Sequence, residues 1–272
     1  MVTPIFRHRR RSIGTFTTLS IAILTLCTGM PPASAVSEFR KQLPINAGTH
    51  IITHNGVCTV GAVLKATTPY AALFPGLAAM RYAVTAGHCV SEYTNVSVEN
   101  QGVIGQVTWV SSVSDLALIK IDPLARNAVT CDPSSTLHRC SIGVFYTPRA
   151  IGNIFLLDQA GRYRSIPFRG TAIPGGDEVF CTSGAVTGVV CAWRNSPLPA
   201  DQPRHRAGAS TWVHDPASEG DSGGPVAGAQ GQLYGIISEF TNRDYPMSDV
   251  MSYVPIDQFF EEQPYYSLAP PG

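Results

Sequence analysis

From about Ile45 onward the apolar residues of this chain fall in short runs separated by turn residues, and helical periodicity is nearly absent. The runs Val57 to Leu64, Tyr82 to Thr85, Val103 to Val110, Ala117 to Ile121, Ile154 to Leu157, Val186 to Ala192 and Leu233 to Ser238 are rich in Val, Ile, Tyr and Trp. Gly, Asn, Asp or Pro bounds them, and the chain holds 25 Gly and 21 Pro among 272 residues. β-Branched and aromatic side chains suit a pleated, half-buried surface, and such punctuation breaks helices, so the pattern predicts an all-β fold. One helix is predicted, Pro255 to Glu262, with proline preset for the first turn and Phe259-Phe260 to dock it. Arg194 to Gly208, rich in Pro and Arg, reads as a surface loop. With 44% hydrophobic and 14% charged residues, the chain has ample apolar matter for a packed core.

The first 35 residues read as a secretory leader. Arg7, Arg9, Arg10 and Arg11 form a basic start, Ile13 to Leu26 is apolar, and Ala33-Ser34-Ala35 is a small-residue cleavage site. The apolar run is shorter than the roughly 20 residues that span a bilayer, which disfavours a membrane anchor. Lys+Arg and Asp+Glu are 19 each, and the leader takes four arginines and no acid. The remainder is mildly acidic without basic clusters, which disfavours nucleic acid as a partner. Removal of the leader also removes Cys27 and leaves six cysteines: Cys58, Cys89, Cys131, Cys140, Cys181 and Cys191. An even count in an exported chain predicts three disulfides, and fifteen pairings are open at this point. No C-x-x-C pair and no H-E-x-x-H occurs, so no metal or cofactor is expected.

Gly220-Asp221-Ser222-Gly223-Gly224-Pro225 carries the strongest chemical signal. A serine hydroxyl is a weak nucleophile and must sit on a sharp turn exposed to a base. Small flanking residues let backbone N–H groups reach an oxyanion formed during acyl transfer. The candidate base is His88, in Thr85-Ala86-Gly87-His88-Cys89 directly after an apolar strand. The other histidines, His50, His54, His138, His205 and His214, lack such a setting. Asp115 opens a buried run, Leu116 to Ile119, and an acid there needs a partner that an imidazole would supply.

Together these motifs resemble the chymotrypsin-like serine peptidases, and the order His88, Asp115, Ser222 is that family's order. The secreted bacterial branch, with the streptogrisins and α-lytic proteases, is the nearer likeness. Cys181-Thr182-Ser183-Gly184 with Thr187-Gly188 and Cys191 resembles its hairpin, and Ile45-Asn46-Ala47-Gly48 resembles its mature start. The resemblance implies two six-stranded antiparallel β-barrels, residues 45–150 and 151–263, with the short helix closing the second. It places a leader at residues 1–35, a short segment at 36–44 and a tail at 264–272. It implies a secreted serine endopeptidase that acts as a monomer on protein or peptide substrates. The alternatives are a silent homologue that binds a partner, or a serine esterase. His88, Asp115 and Ser222 would be the triad, with the N–H groups of Gly220 and Ser222 as oxyanion hole. Ser238 would brace Asp115, and Ser238, Glu239, Phe240 and Glu219 would meet substrate. The disulfides implied are Cys58–Cys89, Cys181–Cys191 and, by remainder, Cys131–Cys140. Phe240 stands where glycine is common and implies a shallow pocket for small or medium apolar side chains. Glu219 is expected to line the cleft mouth and repel acidic ones. Thr182 stands where the bacterial branch often has an arginine to pair with the residue that is Asp221 here. The expected partner is therefore another internal cation, in preference to a new amino terminus at Ile45.

Overall fold

The computed structural model describes residues 37–131, 140–198, 202–203, 205–240 and 250–272. The chain divides into two units, Met1–Ala33 and Ser34–Gly272, and every described residue lies in the second. The expected leader and His138 fall outside the described residues. No helix among the described residues is long and apolar enough to cross a membrane.

The fold is all-β, in two halves. The first is an eight-stranded antiparallel sheet, a half-barrel, in the order Tyr266–Leu268, Ala62–Ala66, Arg81–Thr85, Ala117–Ile121, Gly102–Val110, Asn95–Val98, His50–Thr53, Gly56–Thr59. The second is a closed six-stranded barrel: Phe180–Gly184, Gly188–Ser196, Ala207–Ser210, Val250–Pro255, Leu233–Phe240 and Pro225–Ala227. Between them Ile45–Ala47, Ala150–Leu157 and Tyr163–Pro167 form a small sheet, with the first two strands parallel. Closure removes the second half's unpaired edges.

Some sequence boundaries shift. The run Val57 to Leu64 splits at Val60-Gly61 into two strands, where the Gly61 N–H bonds to the Val84 carbonyl across the sheet. Arg194 to Ser196 continue a barrel strand and pair with Ser210 to Gly208, so the expected loop begins only after Ser196. Residues 264–272 return to the first half, where Tyr266–Leu268 pairs with Ala66 to Leu64. Leu124–Cys131 and Cys140–Thr147 form a ribbon that lies in solvent on both faces, so no period-2 burial marks it. Pro69–Leu73 and Pro75–Ala78 are two short exposed helices that the sequence did not signal. The three disulfides are Cys58–Cys89, Cys131–Cys140 and Cys181–Cys191, as the resemblance implied.

The halves are joined by an apolar layer in which Leu64, Leu116 and Leu118 meet Leu233, Ile236 and Phe259. Phe259 belongs to the C-terminal helix, Ile256–Glu262, which follows Pro255 and buries Ile256 and Phe259 on its inner face. Trp109 from the half-barrel meets Phe259 edge to face at 5.9 Å between centroids. The helix is thus a wedge common to both halves.

The segment before Ile45 is built in. Its short 3₁₀ turn, Glu38–Lys41, puts Arg40 into a slot walled by Phe39, Phe155 and Tyr163, at 5.2 Å from the Phe155 centroid. Arg40 is 1% exposed; its Nη1 donates to the Gly48 carbonyl at 2.7 Å and its Nη2 to Ser183 Oγ at 3.0 Å. A Cβ on Gly48 would lie 2.6 Å from that guanidinium, so a side chain there would evict it. Burial pulls the Arg40 pKa down to about 10, partly offset by Tyr163 and Asp221, so it remains a cation at neutral pH. Deleting a buried side chain that donates to a buried carbonyl and a buried hydroxyl, and that fills its slot, typically costs about 3 kcal/mol. Arg40→Ala is therefore expected to lower the melting temperature by roughly 10 °C for a chain of this size. A thermal denaturation curve that superimposes on that of the parent would show that Arg40 does not support the fold.

Candidate active site

His88 lies on the 3₁₀ turn Gly87–Cys89 that follows the strand Arg81–Thr85, and the Cys58–Cys89 disulfide ties that turn to the neighbouring strand. Asp115 holds it twice. The backbone N–H of His88 donates to Asp115 Oδ1 at 2.8 Å, and the ring Nδ1 lies 2.8 Å from Oδ2. With the proton on Nδ1, Nε2 is left with its lone pair free to accept a proton. The hydrogen bond to Asp115 raises the His88 pKa above the ordinary 6.5 and outweighs the opposing effect of burial. Burial pushes the Asp115 pKa up, but hydrogen bonds from His88 and Ser238 pull harder, and its carboxyl ends below its ordinary value.

Ser238 Oγ donates to Asp115 Oδ2 from the other half of the molecule. A second brace comes from the C-terminal helix. Ser111 Oγ and Ser114 Oγ both donate to the Glu262 carboxylate, the latter at 2.7 Å, and hold the turn just before Asp115. The hydrogen bonds from those serines keep Glu262 ionised, with its pKa lowered despite burial. Sequence reasoning missed Glu262. Its only signal is a carboxylate at the end of the helix whose apolar face was already assigned to the core.

Ser222 sits on the turn between Gly220 and Gly224, pinned from both halves. Its carbonyl accepts from the Thr59 N–H at 2.9 Å, and the next N–H, that of Gly223, donates to the Ile237 carbonyl at 2.8 Å. Thr59 Oγ1 donates to the Gly220 carbonyl at 2.8 Å. The N–H groups alternate along this turn. Those of Asp221 and Gly223 bond inward to Ser218 and Ile237, whereas those of Gly220 and Ser222 have no acceptor among the described residues. The Ser222 side chain is half-buried, and among the described residues no hydrogen bond joins its Oγ to the His88 ring. Such nucleophile–base bonds are often long without substrate.

Asp221, 1% exposed, lies under the turn. Its Oδ1 accepts the N–H groups of Val186 and Thr187, at 2.8 and 3.0 Å, and its Oδ2 that of Ser218 at 2.9 Å. A Cβ on Gly184 would lie 2.1 Å from Oδ1, so only glycine lets the carboxylate in. Arg40 reaches the same corner through Ser183, whose Oγ accepts from its Nη2 at 3.0 Å, and among the described residues no direct ion pair joins it to Asp221. Thr182, at the position where the bacterial branch often has arginine, instead accepts from Trp193 Nε1 at 2.9 Å in the barrel core.

The remaining predicted residues line two separate cavities. Glu219 lines a cavity of about 330 Å³ with His50, Val57, Val186 and Gly220. Glu239 and Phe240 border a much smaller one, about 30 Å³, with Leu198, Met251 and Ser252. The Phe240 ring is half-buried beside Trp193, 6.5 Å between centroids, and so fills the space rather than opening it. Among the described residues no group of three His, Cys, Asp or Glu side chains is placed to hold a metal ion.

The chain resembles solved structures over most of its length. The protease of Nocardiopsis, NAPase, is 19% identical with a TM-score of 0.54, over 82% of this chain and 97% of that one. Protease A of Thermobifida fusca is 18% identical with a TM-score of 0.52, over 83% and 98%. A glutamic acid-specific serine protease that uses a histidine triad in substrate binding is 18% identical with a TM-score of 0.51, over 82% and 100%. At such identity the likeness is one of fold. No curated protein sequence matches the chain. The model of the trypsin-like peptidase domain matches residues 73–236. That segment runs from ahead of His88, through Asp115, to beyond Ser222, and the chain belongs to the trypsin-like peptidase family.

Proposed function

We propose that the protein is an exported serine endopeptidase in which Ser222, His88 and Asp115 act as nucleophile, base and orienting acid. The observation that carries this reading is the double hold of Asp115 on the His88 ring and backbone, beside a turn with two unused N–H groups. Ser222 Oγ attacks the peptide carbonyl carbon while His88 Nε2 takes its proton. The N–H groups of Gly220 and Ser222 receive the resulting oxyanion, already oriented before charge develops. The intermediate collapses as His88 passes the proton to the leaving amine, which leaves an acyl group on Ser222. Water then repeats the sequence with His88 as base and frees the enzyme. Asp115 keeps the proton on Nδ1 and stabilises the imidazolium. The three disulfides suit an oxidising compartment outside the cytosol.

Substrate geometry follows from the strand Leu233–Phe240. Up to Ile237 one edge is bonded to Pro225–Ala227 and the Gly223–Gly224 backbone. Beyond it that edge has no partner strand among the described residues, and an extended peptide can pair along Ser238, Glu239 and Phe240. With Phe240 filling that flank, the residue before the scissile bond is small or medium and apolar. The cavity at Glu219 lies on the leaving side and disfavours acidic side chains there.

Three outcomes test the reading. Ser222→Ala abolishes labelling by an organophosphonate, and Ser222→Ala and His88→Ala each lower turnover by several orders of magnitude, since members of such a triad act as a unit. Comparable casein cleavage by purified Ser222→Ala would refute the assignment. Since His88 must be neutral to act, kcat/KM falls as pH drops through its raised pKa. The midpoint of the acid limb is expected above 6.5, and a limb well below that value contradicts the Asp115 hold. Cleavage mapping on a peptide library should show small or medium apolar residues before the bond. Dominant cleavage after Arg, Lys or Glu would discard the shallow pocket.

A further inference from the structure

We infer that Arg206, with Glu239 as its counter-charge, is a positioning residue for the His88–Asp115 pair: it draws on the carboxylate oxygen that holds the imidazole and so sets the acid limit of activity. The inference rests on the triad reading above and adds two residues to it.

Arg206 immediately precedes the barrel strand Ala207–Ser210 and points back towards Asp115. Its side chain is only 10% exposed, its Nε has no hydrogen-bond partner among the described residues, and its charge is met by two carboxylates. Nη1 lies 2.9 Å from Glu239 Oε2, with Gln202 Oε1 at 3.1 Å and Ser252 Oγ at 3.3 Å around it. Nη2 lies 3.9 Å from Asp115 Oδ2, the atom that also accepts from His88 Nδ1 and Ser238 Oγ. One oxygen therefore serves the base, its brace and a second cation.

The two carboxylates differ in what they offer. Glu239 is 52% exposed, so water screens its hold on Arg206, whereas Asp115 is 9% exposed and interacts through a drier medium. The longer contact is thus not the weaker one by default. The charged groups that bear on the His88 ring are Asp115 and Glu239, which favour its protonated form, and Arg206, which opposes it. Arg206 takes up part of the Asp115 charge and repels an imidazolium. Glu239 takes up part of the Arg206 charge and undoes some of that effect. Without Arg206, His88 would hold its proton to higher pH and be a base over a narrower range. Without Glu239, Arg206 would act on Asp115 unopposed and the range would widen on the acid side.

The test is the pH dependence of kcat/KM for the full chain, Arg206→Gln, Glu239→Gln and the double variant on an uncharged peptide amide, with the His88 ring titration followed by NMR in the same proteins. Arg206→Gln should move the acid limb to higher pH, with a several-fold loss of rate at the acid end relative to its own plateau. Glu239→Gln should move it to lower pH, and the double variant should lie between, non-additively, as coupled neighbours do. If Arg206→Gln does not fold, the sign of the Glu239→Gln shift decides. Limbs and ring titrations that coincide with the parent's, whatever happens to the plateau rates, would reduce Arg206 to scaffolding and overturn the inference. The NMR titration needs no turnover. A chain that cleaves no peptide would therefore sink the triad reading, while the ring still decides whether Arg206 and Glu239 govern it.

Discussion

A carboxylate with no access to water sits directly beneath the nucleophile turn, and the surroundings of Asp221 are arranged to keep it there. An isolated buried charge is too costly to persist. Three backbone N–H groups, from Val186, Thr187 and Ser218, converge on it, and the Arg40 guanidinium reaches the same corner through Ser183. Each requirement explains a residue that the sequence motifs contain without explaining. Gly184 is small so that Asp221 fits against the strand Phe180–Gly184, and Gly48 is small so that Arg40 fits against Ser183. The glycines of two distant motifs thus each make room for one buried polar side chain. Because Asp221 and Ser222 are adjacent, the position of the carboxylate fixes the path of the turn that presents the hydroxyl.

The same economy of atoms joins the two halves. Thr59 alone donates its N–H to the Ser222 carbonyl, donates its hydroxyl to the Gly220 carbonyl and accepts the Ala185 N–H on that hydroxyl. His88 and Asp115 belong to the first half, yet Asp115 is braced by Ser238 and its preceding turn by Glu262, both from the second. Neither half holds a complete site. The apolar layer around Phe259, which keeps the halves in register, thus contributes to the geometry of the base as directly as any polar contact.

What could be read from sequence was what is local. Ser222, His88 and Asp115 each stand in a run whose neighbours mark it as a candidate, and the family resemblance placed Cys181 and Cys191 on one hairpin. The strand Ala117–Ile121 coincided with its apolar run because it is buried on both faces. The ribbon Leu124–Cys131 with Cys140–Thr147 escaped because its apolar residues face water, and alternation is a signature of burial. Arg40, Glu262 and Arg206 escaped for another reason. Each acts on a residue more than 90 positions away, at Asp221, Ser114 and Asp115 respectively, and nothing local separates such a group from a solvated surface charge. With Thr182 in place of an arginine, the sequence pointed to a cation elsewhere in the chain for Asp221, and Arg40 reaches that corner only through Ser183.

Both cations that answer buried acids near the site are arginines, and the chemistry of the site favours that choice. A buried ammonium readily gives up its proton, whereas a guanidinium starts from so high a pKa that burial leaves it charged. Arg40 shows the margin: desolvation brings it down to about 10 and it still carries its charge at the pH of any neutral medium. A lysine in that slot would begin lower and lose the same kind of solvation, so it would give up its charge at lower pH than Arg40 does. The planar fork also lets one side chain serve two acceptors at once, Gly48 and Ser183 for Arg40, Glu239 and Asp115 for Arg206. In the proposed mechanism, arginines near the Ser222 turn and beside Asp115 leave His88 as the group whose charge changes during turnover. In a site built this way, a shift in pH reaches the chemistry through one imidazole rather than through the scaffold that aligns it.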